Sequence, residues 1–334
     1  MVSPERFSVL IAGAGQLGSR YLQGLVGCLN PLRIFVLDPA DGSRRLAAER
    51  WAEVGGPSTA HVVSYHDALD DVSTDLDIAI VATTAAVRPM VVEGTATRTR
   101  VRMWILEKVL AQGESDLDRI TTAIGERSKS WVNTWGRMTP WYRQMRTQDC
   151  GGPVSFGVEG GSWGLACNAI HFLDLMAWWT NENLVSVNAE GLDNDWLPGV
   201  RPDNLEVSGV LTASYSGGTT GRLSSAPPER IGIAAGSVDP TRFWVAKETP
   251  LWDVADPCSS TEGVAVRPDG RELRGRIELQ SERTGPLIDG LLDTGTCELT
   301  DMETSVSQHR AFLRGLLDRW RMVTGEDTDR VPIT

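Results

Sequence analysis

Short β-branched and apolar runs alternate with stretches of helical spacing through the first third of the chain. The pairs are Ser8–Ala12 then 16–27, Leu32–Leu37 then 43–54, Asp77–Ala82 then 86–97, and Val101–Glu107 then 114–128, with a strand at His61–Tyr65 between the second and third. Strands joined through helices run parallel, because the crossover returns the chain to the same edge, and both faces of such a sheet are covered. The pattern predicts an α/β, doubly wound parallel sheet. A further strand at Trp131–Thr134 leads to Pro140, which opens a helix over 140–148.

The periodicity changes after Gly151-Gly152-Pro153. Val154–Glu159, Leu184–Glu190, Glu206–Tyr215, Thr219–Ser225, Arg230–Ala235 and Arg242–Ala246 read as successive strands between Gly, Ser, Asn and Pro turns. They predict an α+β domain with a largely antiparallel open sheet. Leu165, Ile170, Leu173, Met176 and Ala177 mark one helix over 165–180, and Met302, Val306, Phe312, Leu313, Leu316 and Leu317 mark a last one over 301–323. The expected organisation is a nucleotide-binding domain over 1–128, a substrate-binding and oligomerisation domain over 129–300, and a C-terminal segment, 301–334, packing back on the body.

Composition narrows the class. At 334 residues, 41% hydrophobic and 23% charged, the chain suits about two globular domains. Acids outnumber bases 44 to 32, a net charge of -12, which speaks against nucleic acid or an anionic membrane as partner. The richest apolar segment, Phe172–Trp179, is short and contains Asp174, so no membrane span is expected. The start, Met-Val-Ser-Pro-Glu-Arg, lacks a signal-peptide pattern, and the five cysteines (28, 150, 167, 258, 297) form no C-x-x-C pair. Both point to a cytoplasmic protein with no disulfide framework and no metal site.

The first chemical signal is Gly13-Ala14-Gly15-Gln16-Leu17-Gly18 between a predicted strand and helix. Gly13 permits a tight turn, Gly15 a close approach to a pyrophosphate and Gly18 close packing, while the helix start at Gln16 and Leu17 presents N–H groups. Asp38, at the end of the next strand, stands where an acid hydrogen-bonds an adenosine ribose, which favours NAD; Arg44 and Arg45 behind it keep NADP open. Thr83 and Thr84 end a buried strand and are expected to border the dinucleotide, with Arg88 beyond them facing pyrophosphate, a substrate anion or water. The next strand ends in Glu107-Lys108, where a lysine can polarise a carbonyl and the acid can contact cofactor or hold the lysine.

On the helix over 165–180, Cys167, His171 and Asp174 lie at i, i+4 and i+7 and share a face. With the glycine turn, the threonine strand end and Glu107-Lys108, this order resembles the glucose-fructose oxidoreductase and inositol dehydrogenase (Gfo/Idh/MocA) family over nearly the whole chain. The resemblance implies a Rossmann domain and hydride transfer on a sugar-like alcohol or ketone, with Lys108 on the reacting oxygen and His171 exchanging its proton. It also implies a homodimer or homotetramer.

Two residues depart from that family. Val109 stands where a cis proline usually follows Glu-Lys, and since a non-proline cis bond costs about 2.5–4 kcal/mol, a trans bond is expected. Cys167 replaces an aspartate, with Asn168 or a substrate group compensating. The segments around Asn133, Arg137 and the Cys167–His171 string further resemble a branch linked to surface-polysaccharide or nonulosonic-acid sugar biosynthesis. Asn133 and Arg137 are candidate substrate contacts, Arg137 for a carboxylate or phosphate. A redox-recycling epimerase or eliminase with retained NAD, an imine reductase and a non-catalytic sensor are the alternatives.

Overall fold

The computed structural model describes residues 6–334 apart from 149–151, 202, 229–234 and 237. It divides into two compact units, each formed by three stretches of chain. The first comprises Met1–Glu107, Asp118–Asn133 and Glu278–Met302; the second comprises Lys108–Leu117, Thr134–Ile277 and Glu303–Thr334.

The first unit is built on six parallel strands: β1 (Phe7–Ala12), β2 (Leu32–Leu37), β3 (Val62–His66), β4 (Asp75–Val81), β5 (Arg100–Leu106) and β6 (Lys129–Val132). Their spatial order is β6-β5-β4-β1-β2-β3. This is the doubly wound Rossmann order, with its switch point between β1 and β4, where strand ends diverge and ligands are held. Val9 is in register with both Ile34 and Ile78, and all three are wholly buried. The apolar runs therefore stack as a continuous layer, as a sheet covered on both faces requires. Helices α1 (Gln16–Leu25), α2 (Asp41–Glu53) and α3 (Arg88–Arg98) fall where the spacing predicted them.

The second unit contains a nine-stranded sheet. Its strands are β7 (Ser155–Gly161), β8 (Leu184–Asn188), β9 (Leu192–Pro198), β10 (Leu205–Tyr215), β11 (Thr220–Ala226), β12 (Arg242–Ala246), β13 (Pro250–Ala255), β14 (Gly263–Val266) and β15 (Glu272–Gly275). Neighbours are antiparallel except for the parallel pair β7 and β11. The helix Leu165–Thr180 has the predicted bounds and is buried along nearly its whole length. Phe172 lies 5.8 Å from Phe243 and Trp179 lies 6.5 Å from it, ring to ring, so this helix covers the sheet face that Phe243 presents. Each large apolar side chain buried there contributes roughly 1.5–3 kcal/mol.

Three differences from the sequence reading stand out. The peptide between Lys108 and Val109 is cis, not trans. Val109, Leu110 and Ala111 are all wholly buried, and the packing around them outweighs the local preference of a non-proline residue. The strands β9 and β13 to β15 had no counterpart in the expected pattern, nor had a helix at Gln280–Thr294, which carries Pro286 inside it. The predicted strand Arg230–Ala235 lies, but for Ala235, outside the described residues. Among the described residues no helix is long and apolar enough to cross a membrane.

Candidate functional site

In the first unit the chain turns sharply at the end of β1. Gly13 has a φ of 94°, and a Cβ there would stand 3.0 Å from the backbone of Ala82 and Thr83. A Cβ on Gly18 would fall 1.7 Å from the Gly13 carbonyl oxygen, while one on Gly15 would meet nothing within 4 Å. Two glycines thus let backbone close on backbone, and the third leaves open space above the start of α1. Arg50 donates to the carbonyl of Gln16 (2.9 Å) and to its side-chain oxygen (2.6 Å), fixing that first turn, and Leu17 beside it is half-buried.

Asp38 bends back toward this turn. Its Oδ2 accepts from the Ala14 N–H at 2.8 Å and its Oδ1 from the Ala40 N–H at 2.9 Å. The arginines behind it are engaged elsewhere: Arg44 donates to the Asp38 and Pro39 carbonyls, and Arg45 pairs with Asp41 at 2.6 Å. At the end of β4 the Thr83 hydroxyl is buried with no hydrogen-bond partner among the described residues. The Thr84 carbonyl accepts from the Arg88 N–H at 3.2 Å. Arg88 opens α3 and is wholly buried, its guanidinium donating to the Thr83 carbonyl, so water is not its environment.

Glu107 and Asn133 are brought together inside the same unit. The Tyr21 hydroxyl donates to Glu107 Oε1 at 2.5 Å, and Asn133 Nδ2 stands 2.7 Å from Glu107 Oε1 and 2.9 Å from Gln280 Oε1. Burial, and then the neighbouring Glu107 carboxylate, push the Tyr21 phenol well above its ordinary pKa. Asn133 is thus committed to a buried polar cluster with Glu107.

In the second unit Lys108, Cys167, Asn168, Arg201 and Glu206 line a cavity of about 220 Å³. Lys108 Nζ donates to Asn168 Oδ1 at 2.8 Å and to the Cys167 carbonyl at 3.0 Å. Asn168 is itself oriented, its Nδ2 donating to the Trp163 carbonyl at 2.9 Å. Gly164, with a φ of 75°, starts the helix here, and a side chain on it would collide with Asn168 Nδ2 at 2.9 Å.

Glu206 is the residue that sequence reasoning missed. It projects from β10 into the same cavity, 5% exposed, and its Oε2 accepts the Ala166 N–H at 3.0 Å. Burial raises its carboxyl pKa above the ordinary value, against lowering by hydrogen bonds from Cys167 and Ala166 and by the charge of Lys108. Cys167 shares that hydrogen bond, and burial pushes its thiol up, away from the thiolate. Glu206 follows Leu205 and precedes Val207 in an apolar run, so nothing local marks it as chemical; the signal was a lone acid at a strand start.

The shared helix face expected of Cys167, His171 and Asp174 leads to three different surroundings. Cys167 lines the Lys108 cavity. His171 is buried, with its ring 5.1 Å from that of Trp135. Asp174 is wholly buried and takes Arg137 in a two-point ion pair, Nε at 3.0 Å and Nη2 at 2.7 Å, with the Thr134 hydroxyl at 2.8 Å. Arg137 therefore spends two of its donor groups on Asp174.

No family model matches the sequence, and no curated protein matches it. Solved structures do. The chain resembles UDP-N-acetylglucosamine 3-dehydrogenase from Acidithiobacillus ferrooxidans with a TM-score of 0.67 at 13% identity, over 96% of this chain and 100% of that one. It resembles scyllo-inositol dehydrogenase from Lactobacillus casei, solved with NAD(H) and scyllo-inositol, with a TM-score of 0.64 at 13% identity, over 95% and 98%. For aldose-aldose oxidoreductase from Caulobacter crescentus the values are 0.62 and 16%, over 94% and 98%. The fold, a Rossmann sheet followed by an open, largely antiparallel one, is common to all.

Proposed function

We propose that this chain, which has the two-sheet fold of these sugar and inositol dehydrogenases, is an NAD-dependent oxidoreductase acting on a sugar-like alcohol or ketone. The observation that carries the reading is the meeting of a half-buried lysine and a buried carboxyl, Lys108 and Glu206, in one polar cavity. The relatives' printed substrates, a nucleotide sugar, an inositol and an aldose, support the substrate class.

The residues of the glycine turn fit a dinucleotide. Gly15 leaves room for a pyrophosphate over the start of α1, and the buried Thr83 hydroxyl lacks a partner that a bound group would supply. Asp38 would hold the ribose hydroxyls. NAD is favoured over NADP because Asp38 is an anion and both nearby arginines are engaged with Asp41 or backbone carbonyls. The nicotinamide, when bound, supplies the hydride donor or acceptor.

The protein's own residues then do the proton work. Lys108 turns an N–H from Asn168 or the Cys167 carbonyl to the reacting oxygen and stabilises the negative charge that develops there. Glu206, whose burial favours the protonated form, gives a proton to a carbonyl oxygen being reduced and takes one from a hydroxyl being oxidised. Its place in the Lys108 cavity supports Glu206, beside the His171 that the sequence suggested, as carrier of that proton. Asn168 orients Lys108, and Arg201 offers a donor to substrate hydroxyls.

The four described cysteines are free thiols, which supports a cytoplasmic site of action. We extend the reading to a homodimer or homotetramer, the assembly that the resemblance implies. The test is titration of the purified protein with NADH and NADPH, followed by a screen of sugars and inositols for NAD reduction. Binding of NADH and Lys108-dependent turnover of a polyol are expected; failure to bind either dinucleotide overturns the reading.

A further inference from the structure

A second cavity in the second unit, of about 360 Å³, shares no lining residue with the one around Lys108. Arg137, Arg146, Trp178, Glu182, Ser307 and Gln308 are among its walls. The charges there are unevenly committed. Arg137 is balanced by Asp174. Both oxygens of Glu182 are occupied, accepting from the N–H groups of Gly217 and Thr219 and from the Thr219 hydroxyl. Arg146 is different: its Nε donates to the Trp179 carbonyl at 3.2 Å, its guanidinium lies 4.3 Å above the Trp178 ring, and no carboxylate answers it among the described residues.

Gln308 supplies an independent observation. It is 2% exposed, yet neither Oε1 nor Nε2 of its amide has a hydrogen-bond partner among the described residues. Buried amides are almost always paired, and one left bare costs stability, so such a group at a cavity wall marks a place where something else completes the bonding. A guanidinium is planar, and with Nε on the Trp179 carbonyl the two Nη groups of Arg146 form the edge that meets two oxygens of a carboxylate or phosphate side by side.

We propose that this cavity binds a small oxyanion, a carboxylate or a phosphate, through the Arg146 guanidinium and the Gln308 amide. The site is independent of the oxidoreductase reading: Arg146 and Gln308 line neither the glycine turn nor the Lys108 cavity. The Ser307 hydroxyl at the rim adds a further donor.

The experiment is calorimetric titration of the full chain with inorganic phosphate and, separately, with malonate, at fixed ionic strength and with chloride as reference. Saturable one-site binding of at least one anion is expected, and which of them binds identifies the headgroup. Arg146→Gln and Gln308→Leu should each weaken it about tenfold or more, with NADH affinity unchanged. The leucine variant replaces an unsatisfied amide with an apolar group of similar size and so should fold even where the arginine variant does not. Absence of saturable binding by both anions, or binding indifferent to both substitutions, overturns the proposal.

Discussion

Lys108 Nζ and Asn168 Oδ1 are 2.8 Å apart, and Asn168 is in turn held by the Trp163 carbonyl at 2.9 Å. The ammonium is thereby aimed by a chain of two hydrogen bonds. Removing the charge, in Lys108→Ala, should lower kcat on the polyol found by screening about a hundredfold or more and leave NADH affinity unchanged. Asn168→Leu should reduce kcat less and keep the fold. Steady-state kinetics beside a dinucleotide titration checks both, and unaltered turnover in the alanine variant would remove Lys108 from the chemistry.

On the proposed reading Glu206 and His171 are competing candidates for the proton carrier, and a pH profile separates them. Glu206→Gln should abolish the ionisation that governs kcat/KM on its acidic side, whereas His171→Gln should keep it. The reverse pattern returns the role to the histidine.

The same carboxyl links stability to pH. Burial raises its pKa in the folded protein above that of an exposed glutamate, about 4.3, so the folded state binds the proton more tightly. Its contribution is then fully present below the ordinary carboxylate range and is lost as pH rises through the raised folded value. The Tm of the wild type relative to Glu206→Gln should fall between these limits. A difference that stays flat with pH would mean that Glu206 titrates as if exposed.

The Asp174 pair with Arg137 should matter for stability. Asp174 is wholly buried, and Arg137 keeps 14% of its side chain in solvent. Asp174→Ala leaves a largely buried guanidinium uncompensated, at a cost of about 3 kcal/mol, and replacing both residues together by Leu and Met should recover most of it. Urea denaturation of the two variants measures the difference.

On the proposed reading cofactor choice rests on Asp38. Asp38→Ala should weaken NADH binding about tenfold and narrow the gap to NADPH, because the variant loses both the ribose acceptor and its repulsion of a 2′-phosphate. Parallel calorimetry with the two dinucleotides is the readout; an unchanged ratio would place the ribose elsewhere.

What the sequence disclosed was whatever is encoded locally. β2, β12 and the helix Leu165–Thr180 have the expected bounds because an apolar period and flanking turn residues lie within a single window. The glycine turn was readable for the same reason, since Gly13 and Gly18 each answer a steric demand of their immediate neighbours. The helix Gln280–Thr294 was not, because Gly285 and Pro286 interrupt its period, and tertiary contact supplies what propensity lacks: a Cβ on Gly285 would stand 2.9 Å from the Gly24 carbonyl oxygen. Glu206 was hidden by distance, for only folding brings β10 to Lys108. The fates of Arg137 and Asp174 were likewise invisible, as a face shared on one helix says nothing about which partner arrives from outside it.

The backbone changes unit at Glu107–Lys108, Leu117–Asp118, Asn133–Thr134, Ile277–Glu278 and Met302–Glu303. Neither half is therefore a cassette. No single cut in the coding sequence yields either unit intact, so shuffling one of them between homologues would mean exchanging three stretches of gene at once. Diversification by recombination is costly for such a plan, and new specificities are more accessible through point changes around a cavity than through exchange of modules.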